Sequence, residues 1–362
     1  MTTRESNALD VSRNGDTLWT LGSGSLRRWQ TRSGTLSGRD LPRETYIFHV
    51  SPDGRRMALA NANAYLRDAT SGAELLKAAN GTPVWDVDWS PDGRHLALVR
   101  SSGIVEIRDC ETGAVEREFT DERGACDAVQ WSPDGQGLAA SGSAKSTLRV
   151  WEAETGAVRW NADGLRGRAS PGRVLDWSPD GKELAYWKQD GSIARASAVT
   201  GEPLGPPLPP RPAFIEFRYS PDGRFIAASE NEATAVIELA TGAETRLPYT
   251  GPLRWMPDTS QLLVSSWRQS EISTYDAATG LPGGTLLPEL PSQQHVCIGA
   301  SGHYRGSGAI DEHLVYVALL ENGTQQTYTP ADFAARFKWQ NDPEQAMLFE
   351  MRPKPLGSGR QQ

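Results

Sequence analysis

The sequence predicts an all-β protein built from repeated four-stranded antiparallel units, and three observations support this. First, Ser-Pro-Asp-Gly or a variant of it recurs along the chain. Second, a Thr-Gly or Ser-Gly turn follows each copy in register. Third, the pieces between these turns are roughly five to seven residues long and alternate or are β-branched and aromatic, which is typical of short strands. Residues 7 to 328 contain no pattern of a long amphipathic helix.

The spacing of the two turns predicts the number of units. The first marker begins at Ser51, Ser90, Ser132, Ser178 and Ser220, with weaker copies at Ser12, Met256 and Ala300. The second marker ends at Gly34, Gly72, Gly113, Gly156, Gly201, Gly242, Gly280 and Gly323. Successive first markers lie about 41 residues apart, which is the period of a four-stranded β-propeller blade. Eight units favour eight blades over residues 1–329. Seven blades followed by a C-terminal hairpin is the alternative, because residues 304–310 make a poor strand.

Each letter of the Ser-Pro-Asp-Gly marker has a conformational explanation. Proline sets φ near −65°, aspartate suits the third position of a type I turn, and glycine takes the left-handed conformation that a hairpin needs. The serine hydroxyl can accept a local hydrogen bond from the turn. We therefore expect a repeated hairpin turn and not a repeated ligand site.

Composition and charge exclude several classes of protein. The chain has 36 Gly and 24 Pro among 362 residues, which favours many short elements. A net charge of −8 gives no overall footprint for nucleic acid or an anionic membrane. No signal sequence and no run of about 18 apolar residues is found, so we expect a cytoplasmic protein with no membrane association. The cysteines Cys110, Cys126 and Cys297 form no CxxC pair, which favours reduced structural thiols.

Several of these features together resemble a known family. The (W/Y)SPDG hairpin, the apolar strand after it, strand ends such as Trp151-Glu152 and Arg108-Asp109, and the TG turn resemble bacterial-type WD-repeat β-propeller proteins over residues 7 to about 329. The resemblance implies a scaffold or sensor subunit that binds protein or peptide. The family's Gly-His dipeptide and second-turn aspartate are largely missing here, and only Asp190-Gly191 fits, so the family's buried hydrogen-bond network is not expected.

The first strand of each unit is expected to lie innermost, beside a central channel. Its last residue is large and apolar in most units and should pack between blades: Val50, Trp89, Trp131, Trp177, Tyr219 and Trp255. The preceding residue is polar and should face the channel. These predicted channel-lining residues are Asp10, His49, Asp88, Gln130, Asp176, Arg218 and Arg254. Salt bridging among them without a ligand is the plainer interpretation.

A search for catalytic and metal motifs favours a non-enzyme. The segment 299–303 has His where the GxSxG elbow needs its second Gly, and no phosphate loop, HExxH or EF-hand occurs. Residues His295, Cys297, His303, Asp311 and His313 cluster, but their spacing matches no metal motif. We predict no cofactor and no metal. The alternative is a small-ligand binder or hydrolytic propeller enzyme that uses Asp88, Asp176, Arg218 and Arg254 at the channel mouth.

Candidate contact residues lie on the connections from outermost to innermost strands, which gather on one face of a propeller. Two of these connections carry Arg166, Arg168 and Arg211, and Trp85 stands at the start of the third innermost strand. Arginine and tryptophan are common in interaction hot spots. We therefore predict these four residues as tentative contacts for a protein or peptide partner.

The C-terminal end changes character. Thr329-Pro330-Ala331-Asp332 is similar to a capping box and predicts a helix at about 330–338. We expect a helical tail, residues 330–352, packed on the propeller, and a disordered end, 353–362. Because the strand near residues 8 to 12 already has innermost character, ring closure should depend on a weaker seam or a C-terminal clasp.

Overall fold

The computed structural model describes residues 8–22, 25–38, 41–42, 47–60, 62–79, 81–120, 126–142, 146–165, 174–211, 214–257, 260–266, 271–290, 294–319 and 325–348. The described residues form seven antiparallel blades and a separate hairpin. Strands run outward in chain order within each blade. The prediction of an all-β propeller is confirmed, and the favoured count of eight blades is wrong.

Blades 1 to 4 take up the N-terminal half of the ring. Blade 1 contains β1 (Ala8–Val11), β2 (Thr17–Leu21), β3 (Ser25–Gln30), β4 (Thr35–Leu36) and β5 (Leu41–Pro42), the last paired with β3. Blade 2 contains β6 (Ile47–Val50), β7 (Arg56–Ala60), β8 (Ala64–Asp68) and β9 (Glu74–Ala79). Blade 3 contains β10 (Val84–Trp89), β11 (His95–Arg100), β12 (Val105–Asp109) and β13 (Val115–Phe119). Blade 4 contains β14 (Ala128–Trp131), β15 (Gly137–Gly142), β16 (Thr147–Glu152) and β17 (Val158–Asp163).

Blades 5 to 7 and the C-terminal elements complete the described structure. Blade 5 contains β18 (Leu175–Trp177), β19 (Glu183–Trp187) and β20 (Ile193–Ser197). Blade 6 contains β21 (Phe214–Tyr219), β22 (Phe225–Glu230), β23 (Thr234–Glu238) and β24 (Glu244–Leu247). Blade 7 contains β25 (Leu253–Trp255), β26 (Gln261–Ser266), β27 (Glu271–Asp276), β28 (Pro282–Leu290), β29 (Gln294–Ile298) and β30 (Tyr304–Gly306). The hairpin β31 (Tyr316–Leu319) and β32 (Gln325–Tyr328) precedes helix α1 (Pro330–Phe337).

The Ser-Pro-Asp-Gly marker forms the turn between the first two strands of a blade. In blade 3, Ser90 Oγ donates to Asp92 Oδ1 at 2.6 Å and accepts from the His95 N–H at 2.9 Å. Gly93 has φ +70°. A Cβ on Gly93 would lie 3.7 Å from Pro52 of the preceding blade's turn. The marker is therefore a pinned hairpin turn, and neighbouring turns also pack against each other.

The hydrophobic core lies between the blades. One buried cluster occupies each of the seven junctions among the described residues. Trp89, Trp131, Trp177 and Trp255 are all less than 9% exposed within these clusters. Large rings fill this wedge because the space between blades widens away from the axis. The predicted packing role of the marker aromatics is confirmed.

The eighth unit adds to blade 7 instead of forming a blade. Strand β29 pairs with β28, with Leu286 opposite Cys297, and the marker near Ala300 forms the turn between β29 and β30. A new blade would require the chain to return to the centre, whereas here it reverses at the outer edge of blade 7. The fold matches the alternative prediction of seven blades plus a C-terminal hairpin. The Asn322-Gly323 turn of that hairpin lies outside the described residues.

A C-terminal clasp, residues 346–348, covers the junction of blades 1 and 7. Leu348 is fully buried in their shared cluster, and its N–H donates to the Arg32 carbonyl at 2.9 Å. Its carbonyl accepts from the Gly284 N–H at 2.9 Å and from Thr274 Oγ1 at 2.6 Å. A Cβ on Gly284 would lie 2.6 Å from the Leu348 Cα, so glycine permits this close approach. The clasp is the second of the two closures expected from the sequence.

The predicted C-terminal helix is confirmed. Thr329 Oγ1 accepts from the Asp332 N–H at 3.2 Å and donates to its carboxylate at 2.8 Å. Tyr316, Phe333 and Trp339 pack together, with the Tyr316 and Phe333 ring centroids 4.4 Å apart. Residues 353–362 lie outside the described part of the chain. No helix among the described residues is long and apolar enough to cross a bilayer.

Candidate functional site

The seven residues of the predicted channel column lie on the innermost strands, one in each blade. Strand β25 of blade 7 contacts β1 of blade 1, so these strands follow one another around a closed ring. We call the seven side chains, together with Asp86 and Glu216, the inner polar belt. Most described contacts of the belt run between blades, although some, such as Arg218–Glu216, lie within one blade. Its role in lining a water-filled channel stays a prediction.

Three aspartates of the predicted column, Asp10, Asp88 and Asp176, bond to the next blade's backbone. Each accepts from the N–H of the residue that ends the neighbouring innermost strand: Asp10 from Val50 at 2.9 Å, Asp88 from Trp131 at 2.8 Å and Asp176 from Tyr219 at 2.7 Å. The carboxylate compensates a strand-end N–H that has no ladder partner on that side. The aspartates of the column therefore join consecutive blades.

Tryptophans make the complementary bond in the opposite direction. Three indole N–H groups donate to the carbonyl of a belt residue in the preceding blade: Trp89 to His49 at 3.0 Å, Trp177 to Gln130 at 3.4 Å and Trp255 to Arg218 at 3.2 Å. Blade 6 has Tyr219 in this position, and its hydroxyl donates to Glu183 at 3.1 Å. Burial raises the pKa of Tyr219, and the nearby negative charge of Glu183 raises it further. In blades 3, 5, 6 and 7 the marker aromatic thus both packs and bonds across the junction, whereas the Trp131 indole of blade 4 is buried without a hydrogen bond.

Ion pairs continue the belt from blade 5 to blade 1. The nitrogen-to-oxygen distances are 3.9 Å for Arg218–Asp176, 3.5 Å for Arg218–Glu216, 3.8 Å for Arg254–Glu216 and 3.2 Å for Arg254–Asp10. Gln130 also donates to Asp176 at 2.8 Å. The Arg254–Asp10 pair joins residues 244 positions apart and links the last blade to the first.

Glu216 is a belt residue that the sequence analysis missed. It is buried and accepts from the Leu253 N–H of blade 7. Asp86 has the same role in blade 3, where it accepts from the Val129 N–H at 3.0 Å. Both acids stand two residues before a column residue and directly after a shift in strand register. The repeated acid-x-polar spacing was the available signal.

Trp85 occupies one of these register shifts. Val84 pairs with Arg100 and Asp86 pairs with Val99, so Trp85 is the extra residue of a β-bulge. Its side chain is 41% exposed at the start of β10. Bulges redirect side chains out of the regular pleat. Trp85 is therefore a large aromatic held on a rigid strand at the predicted contact face.

Of the three predicted arginine contacts, Arg211 alone lies within the described residues. Arg211 is 8% exposed, and its guanidinium bonds to Glu230 at 2.5 Å and to Glu244. These bonds direct it into blade 6 and away from solvent. Arg166 and Arg168 lie outside the described residues. The contact role of the three arginines stays a prediction, which the burial of Arg211 does not favour.

The histidine cluster of the last unit has structural contacts. The His295 ring packs edge-on against Trp29 at 5.0 Å, and His303 Nδ1 accepts from the Asp342 N–H at 2.9 Å. Cys297 is buried against the clasp, and burial raises its pKa to about 12. Within the described ranges, no three His, Cys, Asp or Glu side chains are placed to hold a metal ion.

Open clefts lie between neighbouring blades on the marker-turn face. The cleft between blades 3 and 4 has a volume of about 490 Å³ and is lined by His95, Glu116 and Trp131, among others. His95 Nε2 lies 3.0 Å from Glu116. A cleft of about 450 Å³ occupies the corresponding place between blades 5 and 6. A histidine paired with one acid does not by itself constitute a nucleophile and base.

The fold is a β-propeller, and two segments of it match a known repeat family. Residues 74–107 and 114–152 match the family described as WD domain, G-beta repeat. The β-propeller domain of Cps50 (Swd1) from Myceliophteria thermophila superposes with a TM-score of 0.62 at 17% identity, covering 76% of this chain and 97% of that chain. This likeness shows the fold.

Sequence relatives come from eukaryotes and bacteria. Mouse Coronin-7 is 30% identical over 36% of this chain, and Drosophila melanogaster Actin-interacting protein 1 is 26% identical over 61%. An uncharacterized Agrobacterium fabrum protein is 26% identical over 40% of this chain and 51% of its own length. The chain spans only 14% of that Coronin-7 and 38% of that Actin-interacting protein 1. The bacterial type stays a prediction.

Proposed function

We propose that this WD40 propeller is a non-catalytic platform that binds a protein or peptide on the face where innermost strands begin. The observation that supports this most directly is Trp85, which a β-bulge holds 41% exposed at the start of β10. A rigid, exposed tryptophan contributes contact area at a low cost in conformational entropy.

The inner polar belt supports a non-catalytic role. In the alternative, enzymatic function, four belt residues would have to act on a ligand: Asp88, Asp176, Arg218 and Arg254. Each of these side chains contacts a neighbouring blade. A ligand that recruited them would have to compensate these inter-blade bonds. The alternative of a channel-mouth enzyme or small-ligand binder therefore has less support.

The relatives add a second argument. Actin-interacting protein 1 has a protein partner in its name and matches 61% of this chain, although at 26% identity. Propeller folds serve many functions, so this supports a protein ligand as a class and does not name one.

The test is affinity capture followed by a direct binding measurement. Immobilised wild-type chain, Trp85→Ala and Leu281→Ala are exposed to the same native extract. Leu281 is 63% exposed in the turn between β27 and β28 of blade 7 and serves as the matched control. We expect wild type and Leu281→Ala to retain the same protein. The affinity of that protein for Trp85→Ala should be at least roughly tenfold lower. Equal retention by Trp85→Ala, or retention of a small molecule alone, would contradict the proposal.

A further inference from the structure

The fourth-strand position of blade 5 is occupied by a proline-rich segment, residues 201–211. Among the described residues, β20 is the last strand of this blade. The segment meets β20 through two isolated bridges, Ala196 with Pro203 and Ile193 with Leu208. Its backbone is anchored by three N–H donors at 2.8 to 3.0 Å, from Leu204, Leu208 and Arg211. The segment is therefore fixed to the blade without forming a ladder strand.

Proline sterics determine the conformation of this segment. Pro206, Pro207, Pro209 and Pro210 have φ held near −65° and carry no N–H. A residue that precedes proline is confined to extended conformations, which applies to 206, 208, 209 and 211. Together these restrictions leave the polyproline II helix as the conformation of residues 206–211. The ordering entropy of this stretch is therefore largely removed before any partner binds.

The two sides of the segment have different chemistry. Leu208 is half-buried and packs against the core between blades 5 and 6. The exposed side of residues 206–210 carries four prolines: Pro206, Pro207, Pro209 and Pro210. The adjacent cation, Arg211, is turned inward to Glu230 and Glu244. The second neighbouring cation, Arg195, donates to the Leu204 carbonyl at 3.3 Å and lies 3.4 Å from Glu183. The segment thus presents a proline surface whose two neighbouring cations are both paired with glutamates.

We propose that residues 206–210 are a preformed polyproline II ligand for a partner domain whose groove is lined by aromatic side chains. The ligand begins at Pro206 because Gly205, with φ +80°, interrupts the extended run. Such grooves bind PxxP segments through the flat faces of successive prolines. Because Arg211 is buried, the matching groove binds prolines without an accompanying ion pair. This surface lies on the outer edge of blade 5 and does not include Trp85, so it goes beyond the function proposed above.

Edge protection is the competing explanation for the same prolines. Proline on an exposed sheet edge prevents pairing with a strand of another chain. That role requires no partner, so it predicts no binding to an aromatic groove. It also predicts that replacing exposed prolines promotes self-association and changes nothing else.

The test uses two labelled probes against the full chain. The first is a WW domain, whose groove is aromatic, and the second is an SH3 domain with acidic residues beside its aromatic groove. Each ¹⁵N-labelled probe is titrated with wild type, with Pro207→Ala/Pro210→Ala and with the control Pro282→Ala, which replaces an exposed proline of blade 7. Circular dichroism and light scattering verify folding and oligomeric state.

We expect the WW indole resonances to shift with wild type and with Pro282→Ala, and the affinity to fall roughly tenfold or more with the double variant. The SH3 domain should bind a free peptide of residues 203–212, in which Arg211 is accessible, more tightly than the full chain. Trp85→Ala should leave WW binding unchanged, which separates this surface from the proposed platform face. No WW binding, or binding indifferent to the proline substitutions, would overturn the proposal.

Discussion

The C-terminal clasp offers the sharpest test of how this ring is closed. Leu348 is fully buried between blades 1 and 7, yet it lies beyond the propeller in sequence. Replacing it with alanine keeps the backbone bonds to Arg32, Gly284 and Thr274 available and removes only the side chain. The substitution therefore isolates the contribution of apolar packing at the junction.

The expected loss is about 2–3 kcal/mol. Truncating a fully buried leucine to alanine costs about 2–5 kcal/mol, with the lower values where the surroundings can relax into the space. A segment near the chain end can relax in this way. The loss in the free energy of unfolding is measured by equilibrium urea unfolding, with tryptophan fluorescence as the signal. Leu281→Ala, at a 63% exposed position of blade 7, should change the free energy of unfolding by no more than about 0.5 kcal/mol.

A second variant tests the clasp from the opposite side. A Cβ on Gly284 would overlap the Met347 carbonyl oxygen, so Gly284→Ala should displace the clasp while Leu348 is intact. In both variants, hydrogen exchange should accelerate at the amides of β1 and β25 before it does in blades 3 and 4. If both variants retain wild-type stability and wild-type protection at this junction, then the clasp does not close the ring.

Three further outcomes are expected. Asp176→Ala should destabilise the chain by about 2–4 kcal/mol in urea unfolding, because it leaves the Tyr219 N–H without its acceptor; Asp176→Asn, which keeps an oxygen there, should lose less. The hydrogen bond from Ser178 holds the pKa of Asp180 below its usual value. The stabilisation of the folded chain by this hydrogen bond is therefore present above roughly pH 4 and is lost as the pH falls through the folded-state pKa of Asp180. The stability difference between wild type and Ser178→Ala should accordingly narrow on acidification, and a difference constant from pH 7 to pH 2 would contradict this. Cys297, whose pKa burial raises to about 12, should resist alkylation at pH 8 until unfolding, and labelling of the native chain at the rate of a free thiol would show the burial to be wrong.

Local patterns were sufficient to predict the repeat and its turns. The Ser90–Asp92 bond and the left-handed Gly93 follow from residues within six positions of one another, so sequence contains all the determinants. The alternation along β10 likewise predicts the burial of Val87 and Trp89, but it does not predict the bulge that leaves Trp85 exposed. The helix at Pro330–Phe337 was predictable for the same reason, since its cap is formed by Thr329 and Asp332.

The candidate site was only partly predictable. The polar column was located from the position before each marker aromatic, and its residues do lie on innermost strands. Their bonding partners lie in the next blade, about 40 residues away or, for Arg254 and Asp10, 244 residues away. Whether Arg211 faces solvent or Glu230 depends on the neighbouring blade, and no local pattern specifies this.

The sequence by itself determined the β-propeller class, the unit length and the turn chemistry, because each depends on short-range conformational preferences. Only the tertiary structure decided the number of blades. Residues 294–306 have strand and turn signals of the same kind as the other units, although weaker, and hydrogen bonding places them on the edge of blade 7. The same signals are compatible with either location, and the choice depends on which sheet edge is free when the ring closes. At that closure, Leu348 is buried between the first and last blades and makes contacts that span nearly the whole chain.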